Sequence, residues 1–195
     1  MGTGLTFDEP THTYRVDGRV VQSVTQILKR VYPNVYGAIP AHVLDRKARL
    51  GTAVHRAIDL FLRGMLDESS LHEEVRPYFD SWLRWWTTHE HRDIEPECQF
   101  YSPSGDYAGT RDFYGTLNGK RWLIDWKITS YPVRTHPIQL AAYHFGDASR
   151  TVDRAGNLYL SSDGSPARLD EHDTLRIWPD WAATLRVYHI QETMK

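Results

Sequence analysis

The stretch Tyr107-Ala-Gly-Thr-Arg-Asp112-Phe-Tyr-Gly-Thr-Leu117-Asn118-Gly119-Lys120-Arg-Trp-Leu-Ile-Asp125-Trp-Lys127-Ile128 reads as two strands folded about a turn. Asn-Gly is the pair that a two-residue type I′ turn prefers, because both central residues need positive φ. Folding the strands about Asn118-Gly119 sets Leu117 against Lys120, and counting outward brings Asp112 opposite Asp125. Cross-strand Cβ atoms lie roughly 4.5–5.5 Å apart, a separation at which like charges repel. Side chains alternate along a strand, so Lys127 shares a face with Asp125, while Trp122, Ile124, Trp126 and Ile128 share the other. Two facing carboxylates beside a lysine have three readings: a shared proton, a divalent cation held between hard oxygens, or a solvated face on which water dilutes the charge.

Working outward, 195 residues suffice for one domain with a real core. With 41% hydrophobic and 25% charged residues, the composition is that of an ordinary soluble globular chain, expected as a single domain over 1–195. A formal charge of −2 excludes a generic polycation coating DNA. The charge is uneven: Arg46, Lys47, Arg49 and Arg56 fall in a stretch without acids, and residues 67–97 are rich in Asp and Glu. The single cysteine, Cys98, excludes an internal disulfide and any four-cysteine zinc or iron–sulfur site within one chain, and it fits a reducing cytoplasm. No secretory signal is visible and no run approaches the ~18–20 apolar residues of a membrane span.

The first 22 residues predict a small antiparallel unit, with strands at Leu5–Phe7, Thr13–Val16 and Arg19–Val21 and turns at Asp8-Glu9-Pro10 and Asp17-Gly18. Ser23-Val-Thr-Gln26 has capping-box spacing and opens a helix through Lys29. Pro33 and Pro40 bracket a loop. From Ala41 to Gly64 the apolar residues Leu50, Val54, Ile58, Phe61, Leu62 and Met65 form one helical stripe, with His55 at its flank and Arg56 and Arg63 on the opposite side. A second helix is expected from Pro77 to His91, a strand at Glu97–Tyr101, and a helix from Thr135 on which Gln139 and Tyr143 share a face. A late hairpin (157–160 and 167–169) and a helix opened by Pro179, burying Trp181, Leu185 and Tyr188, complete a mixed α/β or α+β domain with a central, mostly antiparallel or mixed sheet flanked by helices. Residues 41–145 would form its core and 156–195 a C-terminal hairpin and helix.

Five polar motifs occur in a fixed order: Gly51-Thr-Ala-Val-His55, Glu97, Gly109-Thr-Arg-Asp112, Asp125-Trp-Lys127 and Gln139-Leu-Ala-Ala-Tyr143. Asp-x-Lys alone carries almost no information, but the ordered set resembles the PD-(D/E)xK nuclease superfamily, in particular its RecB-like and phage-type exonuclease branch. The opening Phe7-Asp-Glu-Pro-Thr-His-Thr-Tyr14 and Ser23-Val-Thr-Gln-Ile-Leu28 look similar to phage-type members, so the likeness runs from Phe7 to about Phe145. It implies a restriction-endonuclease-like core and a metal-dependent exonuclease acting on DNA ends in phage recombination or replication, in the host cytoplasm. The alternatives are a structure- or sequence-specific endonuclease on the same core, or a non-cleaving DNA-binding subunit. By resemblance, Asp112, Asp125, His55 and the Trp126 carbonyl hold Mg²⁺ or Mn²⁺. Glu97 holds a water on the metal or a second metal, with Glu95 as the competing match. Lys127 orients the attacking water or offsets phosphoryl charge, and Gln139 and Tyr143 position the phosphate or the lysine. Arg46, Lys47 and Arg49, just before the His55 turn, are candidate phosphate contacts. A recombinase or single-strand annealing partner and self-association are further implications, and no membrane partner is expected. Two departures stand out: Arg111 replaces a usually aliphatic residue, and the cluster-binding cysteines of some RecB-like relatives are absent.

Overall fold

A computed structural model describes residues 4–9, 11–35, 37, 39–129 and 131–194. Pro10, expected in the first turn, lies outside them. The described residues form β1 (Leu5–Asp8), β2 (Thr13–Val16), β3 (Arg19–Ser23), α1 (Val24–Val31), α2 (Ala41–Leu62), α3 (Arg76–Trp86), β4 (His91–Ser102), β5 (Tyr107–Leu117), β6 (Lys120–Lys127), α4 (Thr135–Phe145), β7 (Arg154–Tyr159), β8 (Arg168–Glu171) and α5 (Thr174–Thr193). The fold is mixed α+β: an eight-stranded mixed sheet between two helical layers, in the order β1-β2-β3-β5-β6-β7-β8 with β4 on the other edge of β5. The helices α2 and α3 cover one face, over a core of Phe79, Trp82, Phe113, Ile124 and Trp126. Val24 and Ile27 of α1, Leu140 of α4 and Trp181 of α5 pack with Phe100, Tyr107 and Leu123 on the other. No helix among the described residues is long and apolar enough to cross a membrane.

The turn chemistry fixes the central register as expected. Asn118 and Gly119 take φ of 47° and 75°, and β5 pairs with β6 from Leu117↔Lys120 to Phe113↔Ile124. There the ladder stops, one pair short of Asp112 and Asp125, because the Asp112 carboxylate accepts the Trp126 N–H at 2.6 Å. The β5 edge that carries β6 at one end carries β3 at the other, through Gln22↔Tyr107 and Ser23↔Ala108. Among the described residues Gly109 to Asp112 therefore have no strand partner on that edge, and the sheet forks around them.

Several boundaries differ from those expected. α3 ends at Trp86 rather than His91, because the next residues join the sheet: the Glu90 N–H donates to Asn118 Oδ1 and its carbonyl accepts the Asn118 N–H. α5 starts at Thr174, where the Asp173 carboxylate accepts the Arg176 N–H, so Pro179 lies inside the helix instead of opening it. The helical bond Pro179 removes belongs to the carbonyl of exposed Leu175, which water can reach. Met65 leaves the α2 stripe and is 60% exposed, because Gly64 at φ 69° turns the chain away first. The Ser23–Gln26 capping box forms as read, although α1 continues to Val31.

A Cβ on Gly109 would meet Phe100 at 2.8 Å and Tyr143 at 2.9 Å, both rigid rings. Gly109→Ala is therefore expected to destabilise the fold by about 1–3 kcal/mol, as overpacking does. A urea midpoint equal to that of the wild type would show that β5 moves freely off those rings.

Candidate metal centre

The fork in the sheet is where the polar motifs meet. His55 comes from the middle of α2, Glu97 from β4, Asp112 from β5, Asp125 and Lys127 from the end of β6, and Gln139 and Tyr143 from α4. All seven line one cleft of about 560 Å³. One ligand atom from each of His55, Glu97 and Asp112 lies within 4.8 Å of the others, and His55 Nδ1 is 3.1 Å from Asp112 Oδ1.

Local backbone geometry makes this convergence. Simple alternation fails on β5, since Arg111 reaches toward α4 and Phe113 points into the α2–α3 core. Asp112 between them turns toward α2. Glu97, opposite it between the Cys98↔Arg111 and Pro96↔Phe113 pairs, adopts φ of 50°. A non-glycine residue with left-handed φ is uncommon and costs energy, so the neighbouring packing must hold it there. Glu95 instead pairs with Arg150 at 2.5 Å and is not among the residues lining the cleft, whereas Glu97 is.

Asp125 and Lys127 share a face, as strand alternation requires, with Lys127 Nζ 2.6 Å from Asp125 Oδ2. The same oxygen accepts from Asn157 Nδ2 at 2.9 Å, Asn157 being the directly paired residue on β7. Lys127 Nζ also donates to Gln139 Oε1 at 2.9 Å, and Gln139 Nε2 donates to the Tyr143 hydroxyl at 2.7 Å. A continuous polar chain thus runs Asn157–Asp125–Lys127–Gln139–Tyr143. Trp126 meets the site through its N–H on Asp112, while its indole is buried in the core.

Crowding of negative charge shows in the protonation of these groups. Burial, then the Asp112 carboxylate, pushes Glu97 up to about 8. Burial disfavours the His55 imidazolium, but Asp112, with Glu97 and Asp125 behind it, overrides that and pushes it up to about 9. Burial also lifts Asp125 above the usual carboxylate range, against the pull of Lys127. Two carboxylates and one imidazole at such spacing, with Asp125 lining the same cleft, are an oxygen-rich donor set that suits Mg²⁺, and Mn²⁺ through the added nitrogen. His55, Glu97 and Asp112 form the tight group; Asp125, expected beside them, is held by Lys127 and Asn157 at the same cleft.

Arg46, Lys47 and Arg49 do not join the cleft. They lie along the first half of α2, and Arg46 is spent on an ion pair with Glu74. Besides Lys127, the basic side chains that line the cleft include Arg56 and Arg63, one on each side of buried Asp59: Arg56 Nη1 lies 3.0 Å from Oδ2 and Arg63 Nε 2.6 Å from Oδ1. The signal was available in the sequence as an Arg-x-x-Asp-x-x-x-Arg run in register with His55. Asn157 had no such signal, because its role depends on the parallel β6–β7 pairing. Arg111 is 1% exposed; it donates to the Tyr143 carbonyl through Nε and Nη2 and lies over Phe100 at 4.4 Å, which fastens the last turn of α4 to β5.

Comparison of the sequence with protein-family models and with curated proteins gives no match.

His136 backs this cluster from α4. Its Nδ1 accepts the Val133 N–H, and the Tyr159 hydroxyl lies 3.0 Å away. Burial, then the charges of Lys127 and His172, pushes it down to about 3. The unfolded chain binds this proton below about 6.5, so the stabilisation from neutral His136 is complete above that pH and is lost progressively as pH falls toward 3. Between pH 7 and pH 5 the loss attributable to this group is about 2 kcal/mol. Urea unfolding should show a fall in stability smaller by that amount for His136→Gln than for wild type; equal falls would assign the acid sensitivity elsewhere.

Proposed function

We propose that this chain is a divalent-metal-dependent deoxyribonuclease that hydrolyses phosphodiester bonds from DNA ends. The observation that carries this reading is the meeting of His55, Glu97 and Asp112 within 4.8 Å at a cleft that Asp125 and Lys127 also line. His55, Glu97 and Asp112 would hold Mg²⁺ or Mn²⁺, with Asp125 and the Trp126 carbonyl as further oxygen donors. A divalent ion there supplies Lewis-acid stabilisation of charge on the scissile phosphate and lowers the pKa of water.

The chain's own residues do the rest. Lys127 has three N–H donors, of which one is directed to Asp125 and one to Gln139, leaving the third for a phosphoryl oxygen or the attacking water. Asp125 and Gln139 together fix where that third donor points, which is the preorganisation that transition-state stabilisation requires. Tyr143 acts one step back: its hydroxyl holds the Gln139 amide so that the carbonyl end faces Lys127. Asn157 similarly holds Asp125 as an acceptor. The placement in phage recombination or replication, and a recombinase or single-strand annealing partner, belong to the same proposal and rest on the motif resemblance alone.

Purified protein should degrade linear DNA in Mg²⁺ or Mn²⁺ and do nothing in EDTA. Lys127→Ala should fold normally and lose about 10²-fold or more in turnover, the scale of removing one oriented donor. Wild-type turnover in that variant, or cleavage that survives EDTA, would overturn the assignment. Covalently closed circular DNA should stay intact; nicking would make the enzyme an endonuclease on the same core.

A further inference from the structure

The N-terminal β-unit contributes an aromatic part of the cleft lining, through Phe7, His12 and Tyr14. Phe7 on β1 and Tyr14 on β2 are direct strand partners whose rings stack at 4.4 Å and 29°. His12, in the turn between them at φ of 50°, meets both edge-on, at 5.2 Å from Phe7 and 5.8 Å from Tyr14. Tyr14 is buried, and its hydroxyl lies 2.7 Å from Thr110 Oγ1, inside the unpaired stretch of β5 that also carries Asp112. The stack is thus anchored to the fork itself. Its outer members are not used up in the core: Phe7 is half-buried, His12 is exposed, and both line the cleft.

On the α2 wall, one buried carboxylate carries two guanidiniums. Asp59 has both oxygens occupied by Arg56 and Arg63, and Arg63 Nη2 also donates to the Pro96 carbonyl beside Glu97. The trio bears a net charge of +1 and keeps N–H groups in excess of those its partners accept. Flat rings and a fixed cation lining one cleft are the combination that grips a single strand: bases stack, phosphates meet arginine, and neither contact reads sequence. A volume of about 560 Å³ lies within the roughly 300–1,000 Å³ of small-molecule sites, enough for one or two nucleotides.

We propose that Phe7, backed by Tyr14 and flanked by His12, is a stacking subsite for an unpaired base of a DNA strand whose phosphates run along Arg56 and Arg63. The inference rests on the nuclease reading for the identity of the ligand as DNA, but it concerns different residues. It gives the N-terminal β-unit a task, which the metal-centre residues do not explain.

The test uses the full chain and a short single strand carrying 2-aminopurine near its end, with phosphorothioate linkages to block turnover, in Ca²⁺. Wild type should quench the 2-aminopurine and bind the strand more tightly than a blunt duplex of the same sequence. Phe7→Ala should lose the quenching and about tenfold or more in affinity for the single strand, the scale of one stacked base, with little change for the duplex. Phe7→Leu, which keeps apolar bulk on β1 without a flat ring, should fold as wild type and also lose the quenching, while Phe7→Trp should retain it. Unchanged emission and affinity in Phe7→Ala and Phe7→Leu, or a blunt duplex bound as tightly as the single strand, would overturn the subsite. The two readings separate cleanly. A protein that stacks the base through Phe7 but cuts no DNA in Mg²⁺ or Mn²⁺ keeps the subsite and loses the nuclease; one that cuts DNA with Phe7 irrelevant does the reverse.

Discussion

One side chain taking one backbone bond sets the shape of this site. Where the β5–β6 ladder would continue, Asp112 Oδ2 accepts the Trp126 N–H in place of a main-chain carbonyl. A buried N–H must be satisfied, and a carboxylate satisfies it with a stronger, charge-assisted bond. The exchange ends the ladder, orients the carboxylate and leaves the β5 edge unpaired between β3 and β6. An interrupted sheet edge is normally a liability. Here the opening is lined by His55 from α2, Glu97 from β4 and the Lys127–Gln139 pair, so the unpaired backbone faces a cleft built for polar contacts.

The energetic tension in the site follows from that geometry. Three carboxylates line one cleft, where desolvation disfavours charge, and Glu97 and Asp125 respond by holding protons more tightly than free carboxylates do. His55 and Lys127 offset part of the repulsion. Structure for its own sake would favour apolar side chains at such positions, because buried ionic groups seldom add stability over packed hydrophobic ones. Five ionisable groups at one fork fit the ion-binding, charge-stabilising role proposed for them.

Much of this was legible in the sequence, for local reasons. Asn118-Gly119 fixes the turn, the turn fixes the register, and strand alternation puts Asp125 beside Lys127; each step depends on residues within a few positions of one another. Helical spacing similarly put Gln139 below Tyr143. The parts that were not legible depend on contacts between distant segments. Asn157 reaches Asp125 only because β7 lies parallel to β6 after the α4 crossover. Glu97 joins His55 through a left-handed backbone residue that no propensity favours for glutamate. Arg111 looks misplaced in a strand until the carbonyl end of α4 is laid over it. Pro179 misled because proline favours first turns, whereas here it sits inside a helix whose freed carbonyl faces water.

The proposed function needs a cation among His55, Glu97 and Asp112. Anomalous diffraction at the manganese edge from crystals grown with Mn²⁺ tests it most directly. A peak is expected in contact with the His55 imidazole and the Asp112 carboxylate, absent from Asp112→Asn crystals. A well-ordered site with no peak there, or manganese held only at surface carboxylates, would contradict it.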